Sequence, residues 1–145
     1  MSLTPFLWFG VLFSLATVGC GSSGNDLSSN NSSSANVTFE MVQTQVFAVS
    51  CTFSSCHGAN SPQQGLNLTL DQAYTNLVNV ASTELAALGV AEDRVTPSEP
   101  DRSYILEKLR SDSPRSGVRM PIDQPLDAAR IDMVARWIAA GAAEN

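Results

Sequence analysis

The segment Cys51-Thr52-Phe53-Ser54-Ser55-Cys56-His57-Gly58 concentrates the chemically reactive side chains of this 145-residue chain. It holds two of the three cysteines and the only histidine. A lone histidine directly after a cysteine is an uncommon coincidence at this composition, so the adjacency of Cys56 and His57 indicates a shared task. The rest of the chain has to build a fold around this segment.

The N-terminus predicts export. Residues 6–18 form an uncharged apolar run of 13 residues, which is the length of a signal-peptide core and too short to span a bilayer. The stretch Leu15–Cys20 resembles the lipobox of bacterial lipoproteins, in which the cysteine is acylated and becomes the new N-terminus. We therefore expect a lipoprotein signal peptide over residues 1–19 and lipidation at Cys20. The alternative is an ordinary cleaved signal, with Cys20 as an incidental or free thiol.

A polar tether separates the lipidation site from the remaining chain. Residues 21–36 are mostly serine, asparagine and glycine, and cannot bury enough apolar surface to offset the entropy of ordering them. A tether of this composition reaches about 20–25 Å, enough to hold a small domain away from a membrane. The sequence thus predicts a tether over residues 20–36 and one folded domain over residues 37–145.

Cys51, Cys56 and His57 have the chemistry of a covalent haem attachment site in an exported chain. Two cysteines add across the vinyl groups of haem, and the histidine after the second cysteine becomes the proximal ligand of the iron. Four residues separate these cysteines instead of the usual two, which is a less common version of the motif. We expect one covalently bound haem c.

Two other interpretations use the same side chains. Cys51 and Cys56 can form a disulfide in an oxidising compartment, which would leave His57 on the surface. A zinc site would need four ligands, and with Cys20 at the N-terminus the set is incomplete.

Amphipathic helices flank the motif. Thr38 can cap a first helix, and Asp127 can cap a terminal helix that ends before Gly141. The predicted apolar face of the first helix consists of Phe39, Val42, Val46 and Val49. That of the terminal helix consists of Ile131, Val134, Trp137 and Ile138. We expect Trp137 to pack on the first helix, and two shorter helices to begin at Asp71 and at Pro100 or Ser103.

Met120 is the expected second axial ligand. With no other histidine, a methionine thioether is the natural choice for a low-spin iron. Met1 is removed with the signal, Met41 lies close before the motif on the first helix, and Met133 lies inside the terminal helix. Met120 instead precedes a proline in a turn-rich stretch, so it should lie on an extended loop. The alternative is a loop methionine that covers a hydrophobic edge.

Residues 38–142 resemble the small c-type cytochrome domains of environmental bacteria, of the planctomycete and deltaproteobacterial type. The matching stretches are Cys51–Gly58, Gly65–Leu68, Ala73–Val78, Val95–Pro100, Ser103–Leu109, Met120–Pro121 and Trp137–Ala142. The resemblance implies an all-α, cytochrome c-like fold of four to five helices around a covalent haem. It also implies His57 and Met120 as axial ligands and electron transfer as the task. Tyr74, Tyr104 and Arg119 are candidate partners of the haem propionates, with ordinary packing or solvation as the alternative.

Charge is distributed unevenly along the chain. Residues 1–93 contain six acidic side chains and no lysine or arginine, whereas residues 94–145 contain eight of each sign. We do not expect nucleic acid as a partner, because binding phosphates needs a basic stripe. Between residues 41 and 70 only His57 and the two thiols are ionisable. A weakly polar surface in a negative surrounding favours a basic redox protein as partner.

The sequence therefore predicts a lipid-anchored monohaem electron carrier on the periplasmic side of the bacterial cell envelope, and not an enzyme. The alternatives are a haem-based sensor and a haem subunit of a larger envelope oxidoreductase. A sensor needs an open sixth position and distal acid–base groups, which Met120 and the lack of a second histidine disfavour. A haem-free structural lipoprotein with a disulfide is a further alternative.

Replacing the lipidated cysteine tests the anchor. Wild-type protein should fractionate with membranes, and Cys20→Ala should be soluble in the periplasm or remain unprocessed, because the acyl chains supply the membrane affinity. Fractionation and immunoblotting measure this, with Ser22→Ala as the matched control. Wild-type protein found wholly in the soluble fraction would refute lipidation.

Overall fold

The computed structural model describes residues 36–145, which belong to one compact unit. The predicted signal peptide, Cys20 and the tether up to residue 35 lie outside the described residues. The described part is mostly helical and contains no strand, only two isolated bridges, Val78–Val95 and Ala81–Asp93. None of its helices has the length and apolar character needed to cross a membrane. An all-α fold agrees with the prediction.

Five helices follow one another along the described chain. Helix α1 runs through an α-helical turn at Phe39–Val42, a π-helical turn at Gln43–Phe47 and a final α-helical turn at Ala48–Ser50. The others are α2 (Ala73–Leu77), α3 (Thr83–Ala86), α4 (Tyr104–Arg110) and α5 (Ala128–Ala139). Short 3₁₀ turns lie at Gln63–Gly65 and Pro100–Arg102.

The predicted caps of the first and last helices are confirmed. The Thr38 hydroxyl accepts a hydrogen bond from the Met41 amide at 3.2 Å. A carboxylate oxygen of Asp127 accepts one from the Arg130 amide at 2.8 Å. Each cap satisfies an amide that the first helical turn leaves without a partner, so the side chain fixes where the helix begins.

Aromatic packing joins the first and last described helices, as predicted for Trp137. The ring centroids of Phe39 and Trp137 lie 5.2 Å apart, and Tyr74 meets Phe39 edge-on at 5.3 Å. Helices α1, α4 and α5 contribute most of the core, with α2 and the intervening segments closing it. The fully buried large side chains include Val42, Val46, Phe47, Leu77, Leu85, Val95, Leu106, Val134, Trp137 and Ile138.

Val49 does not belong to the buried face of α1, contrary to the prediction. Its side chain is 53% exposed, whereas Gln43 and Phe47 are almost fully buried. The π turn explains the difference. The Ala48 amide donates a hydrogen bond to the Gln43 carbonyl, five residues back instead of four. Side chains after this turn are therefore rotated relative to their positions in a regular α-helix. Val49 consequently lies beside the cysteine segment rather than in the core.

The starts of the middle helices agree with the prediction in part. Asp71 does not cap α2, which begins after Gln72 without a side-chain cap. The predicted start of α4 is confirmed, because Ser103 directly precedes its first residue and Pro100 begins the 3₁₀ turn before it. The Ser103 hydroxyl makes no cap and instead lies within hydrogen-bond distance of the Thr96 and Glu99 carbonyls. Helix α3 was not predicted, and the hydroxyl of Ser82 caps it by accepting from the Leu85 amide.

Candidate functional site

The cysteine segment forms a tight loop directly after α1. The amide of Cys56 donates to the Phe53 carbonyl at 2.9 Å, and the amide of His57 donates to the Cys51 carbonyl at 3.1 Å. These bonds fold the segment back on itself, and Cys51, Cys56 and His57 all line one cavity. Both thiols are free, with no disulfide between them.

Gly58 closes this loop through a close backbone approach. A Cβ atom there would lie 2.8 Å from the carbonyl oxygen of Thr52 and 3.1 Å from that of Phe53. Both neighbours are main-chain atoms that are held by the loop itself, so they cannot turn aside as a side chain would. Only glycine fits this position without opening the loop.

The imidazole of His57 is oriented by a main-chain hydrogen bond. Its Nδ1 lies 3.0 Å from the carbonyl oxygen of Leu66. A carbonyl only accepts, so Nδ1 carries the hydrogen and the neutral ring keeps its lone pair on Nε2. Burial lowers the pKa of His57, and the nearby positive charge of Arg94 lowers it further, against the opposing hydrogen bond to Leu66. A neutral imidazole with a free Nε2 is the form that ligates iron.

Two adjoining cavities flank the loop. The Arg94 cavity, about 300 Å³, extends from His57 to Arg94 and is walled by apolar side chains such as Phe47 and Leu77. The Phe53 cavity, about 710 Å³, extends from His57 past Phe53. The side chains common to both are Cys51, Ser55, His57, Gln63, Met120 and Ile122. Because the two cavities share these residues, we call them together the cleft; each is within the size range of cofactor sites.

Met120 lies in this cleft, although it is far from His57 in the sequence. It belongs to the loop between α4 and α5, as predicted, and its amide donates to the Lys108 carbonyl at 2.7 Å. All three methionines that the structure describes pack against the core, but Met41 and Met133 line neither cavity. The fold thus brings Cys51, His57 and Met120 to the same cleft.

Cys56 and Cys51 differ in their surroundings. Cys56 lines only the Phe53 cavity, whereas Cys51 lines both cavities. Burial raises the pKa of Cys51 to about 12, and the neighbouring Cys56 adds to the shift. The Cys51 thiol therefore stays protonated. In the part of the chain that the structure describes, no three histidine, cysteine or acidic side chains cluster as metal ligands would.

Arg94 is a cleft residue that the sequence did not reveal. Its side chain is almost fully buried, and its guanidinium donates to the carbonyls of Gln64 at 2.7 Å and Asn76 at 2.8 Å. No ion pair of the described residues includes it. Burial lowers the pKa of Arg94 because it disfavours the charged form. A buried cation with only neutral partners favours an acidic ligand group.

The three propionate candidates occupy different positions. Tyr104 lines the Arg94 cavity, and its hydroxyl donates to the Ser116 carbonyl at 2.9 Å. Burial, together with the carboxylates of Glu84 and Glu107, raises the pKa of Tyr104 to about 12, so the phenol remains a donor. Tyr74 instead packs on Phe39, and Arg119 pairs with Asp112; neither lines the cleft.

No protein-family model matches the chain, and no curated protein or solved structure does so either.

Substitution of Gly58 tests the attachment loop. Gly58→Ala should lower the free energy of unfolding by about 1–3 kcal/mol, because the new Cβ overlaps main-chain oxygens that cannot move aside. Chemical denaturation monitored by circular dichroism measures the change. Ser54→Ala, an exposed position of the same loop, should stay within about 0.5 kcal/mol of wild type. An unchanged Gly58→Ala variant would mean that the loop is not held by this contact.

Proposed function

We propose that residues 37–145 form a monohaem c-type cytochrome domain that carries single electrons in the cell envelope. The observation that carries the proposal is the cleft itself. Its lining includes residues of the cysteine–histidine loop together with Met120, the only described methionine outside the helices. Iron held between an imidazole and a thioether has both axial positions filled, which suits electron transfer better than binding of a substrate.

The side chains of the cleft fit a haem c. Cys51 and Cys56 would form its thioether links, and His57 Nε2 and the Met120 sulfur would bind its iron. Arg94 would hold one of its acid groups, since the buried guanidinium has no other anion among the described residues. Bound haem would supply an iron that gains and loses one electron.

The protein would contribute orientation and exclusion of water. The Leu66 carbonyl holds the His57 ring in one orientation and makes Nε2 a stronger ligand. Apolar side chains of Phe47, Leu68 and Leu77 line the Arg94 cavity, and a dry surrounding changes the relative stability of the ferric and ferrous charges. These groups would set the reduction potential without taking part in bond chemistry.

The predicted signal peptide and Cys20 support a location at the membrane surface. We propose that acyl chains on Cys20 anchor the protein on the periplasmic side, and that the polar tether lets the domain reach a partner. Both features lie in the sequence before residue 36, outside the described residues.

The mouth of the Phe53 cavity supports a basic redox protein as partner. Val49, Phe53 and Ile122 are exposed there and offer apolar contact. Arg130 is the only cation among the lining residues, and it pairs with Asp127 at 3.0 Å. The remaining lining acid, Asp123, therefore gives this surface a negative charge. The acidic side chains before residue 94 that the structure describes are Glu40, Asp71, Glu84, Glu92 and Asp93. Glu84 and Glu92 are ion-paired with Lys108 and Arg115, so these two add little to the external field.

Covalent attachment is the decisive test of the proposed function. After expression with a cytochrome c maturation system, the denatured chain should retain the mass of one haem, because thioether bonds survive unfolding. Mass spectrometry measures this, with a Cys51→Ala/Cys56→Ala variant as the control that should lose the haem. An unmodified wild-type chain with a Cys51–Cys56 disulfide would overturn the proposal.

Substitution of the methionine tests the axial ligand. Met120→Ala should abolish the iron-to-sulfur charge-transfer band of the oxidised protein and lower the reduction potential, because a thioether favours ferrous iron. Met41→Leu and Met133→Leu should change neither, since neither side chain lines the cleft. Survival of the band in Met120→Ala would show that another group is the ligand.

Ionic strength tests the partner's charge. The rate of electron transfer to a cationic redox protein should fall as salt rises, because screening over about 10 Å at 0.1 M weakens the attraction. Stopped-flow kinetics measure the slope. Asp123→Asn should flatten it, while Glu144→Gln, which does not line the cavity, should alter it less. A rate that rises with salt would reverse the proposed polarity.

A further inference from the structure

The ion pair between Glu84 and Lys108 is the most deeply buried one in the described part of the chain. The Lys108 ammonium lies 3.2 and 3.0 Å from the two carboxylate oxygens, and the side chains are 9% and 18% exposed. Both residues line the Arg94 cavity, yet the proposed haem ligation gives them no role. Burying an ion pair costs desolvation free energy, so its position beside the cleft calls for a function.

The pair is bonded to the loop that carries Met120. The Lys108 ammonium donates to the Ser116 carbonyl at 3.0 Å, and the Tyr104 hydroxyl donates to the same oxygen at 2.9 Å. Farther along the loop, the Met120 amide donates to the Lys108 carbonyl at 2.7 Å. One residue of α4 thus holds the loop at two points, through its side chain and its main chain.

Gly117 brings the loop backbone directly onto the pair. Its φ is +66°, and a Cβ atom there would lie 2.6 Å from a Glu84 carboxylate oxygen and 2.8 Å from the Lys108 ammonium. The main chain after Ser116 therefore packs against both charges with no side chain between them. This contact is independent of the hydrogen bonds to Ser116.

We propose that Glu84 and Lys108 act together as positioning residues that hold the Met120 loop closed over the cleft. The inference rests on the proposed function in one respect, that the Met120 sulfur is an axial ligand. Glu84 fixes the ammonium, the ammonium and Tyr104 hold Ser116, and the held loop keeps the sulfur at the iron.

The consequence is competition between Met120 and ligands from solution. The loop between α4 and α5 has no regular structure, and after Arg115 its ties to α4 are those at Ser116 and at the Met120 amide. Loss of the Ser116 ties should therefore let this part of the loop sample open conformations. An external ligand binds only when the methionine has left, and its apparent affinity is reduced by the small fraction of open protein. Weakening the ties raises that fraction and therefore the affinity.

Imidazole titration of the ferric holoprotein measures this fraction. Lys108→Met and Glu84→Gln should each raise the affinity for imidazole roughly tenfold and weaken the charge-transfer band. Arg136→Met is the matched control, because it breaks an ion pair with Asp132 of 2.8 Å on the exposed face of α5. Its imidazole affinity should stay within about twofold of wild type.

A double variant separates positioning from general stability. Glu84→Leu/Lys108→Met removes both charges, and apolar replacement of a buried pair often keeps or raises stability. Its denaturation midpoint should recover relative to Lys108→Met, while its imidazole affinity should remain high because Ser116 has lost the ammonium. Recovery of the wild-type imidazole affinity in the double variant would overturn the proposal.

Two further results keep the test decisive. Tyr104→Phe removes only the second donor to Ser116, so it should raise imidazole affinity by a smaller factor, and it serves if the Lys108 variants do not fold. Unchanged affinity in all of these variants would refute the positioning role. A wild-type protein without the charge-transfer band would instead refute Met120 ligation, and with it the proposed function.

Discussion

The buried guanidinium of Arg94 connects the parts of the cleft. Its side chain bonds the carbonyl of Gln64, in the turn after the cysteine loop, and that of Asn76 in α2. Its amide bonds the Val80 carbonyl, and its carbonyl accepts from the Ile105 amide in α4. The guanidinium therefore ties the turn after the cysteine loop to α2, while the main chain of the same residue ties α4 to this point. Its burial without a carboxylate costs free energy, which an acidic group of a ligand would offset by pairing with it.

Local sequence signals correctly predicted the starts of the first and last described helices, α1 and α5, and the contact between them. Thr38 and Asp127 cap their helices because such caps need only a side chain and amides two or three residues ahead. The contact between Trp137 and Phe39 was predictable because the apolar faces of the first and last helices both follow helical spacing. Val49 was misplaced because nothing in the residue types marks a π turn. Asp71 was misplaced because a possible cap is not used when the chain begins its helix one residue later.

The sequence predicted only those cleft residues whose immediate neighbours in the chain indicate their role. Cys56 and His57 stand together, and Pro121 marks the loop that carries Met120. Arg94 gave no signal, because its partners are main-chain carbonyls that any residue supplies. The Glu84–Lys108 pair was hidden for another reason: its two members come from different helices, and only the tertiary fold makes them neighbours.

The π turn in α1 also has a consequence for aligning this chain with others. A hydrogen bond that spans five residues, from the Ala48 amide to the Gln43 carbonyl, gives this helix one residue more than a regular α-helix of the same course. In a homologue with an unbroken α-helix, the residues before Gln43 and the cysteine loop would be one residue closer together in the sequence. Correct superposition of the two sequences would then need a single-residue gap inside the helix, where gaps are normally penalised most heavily.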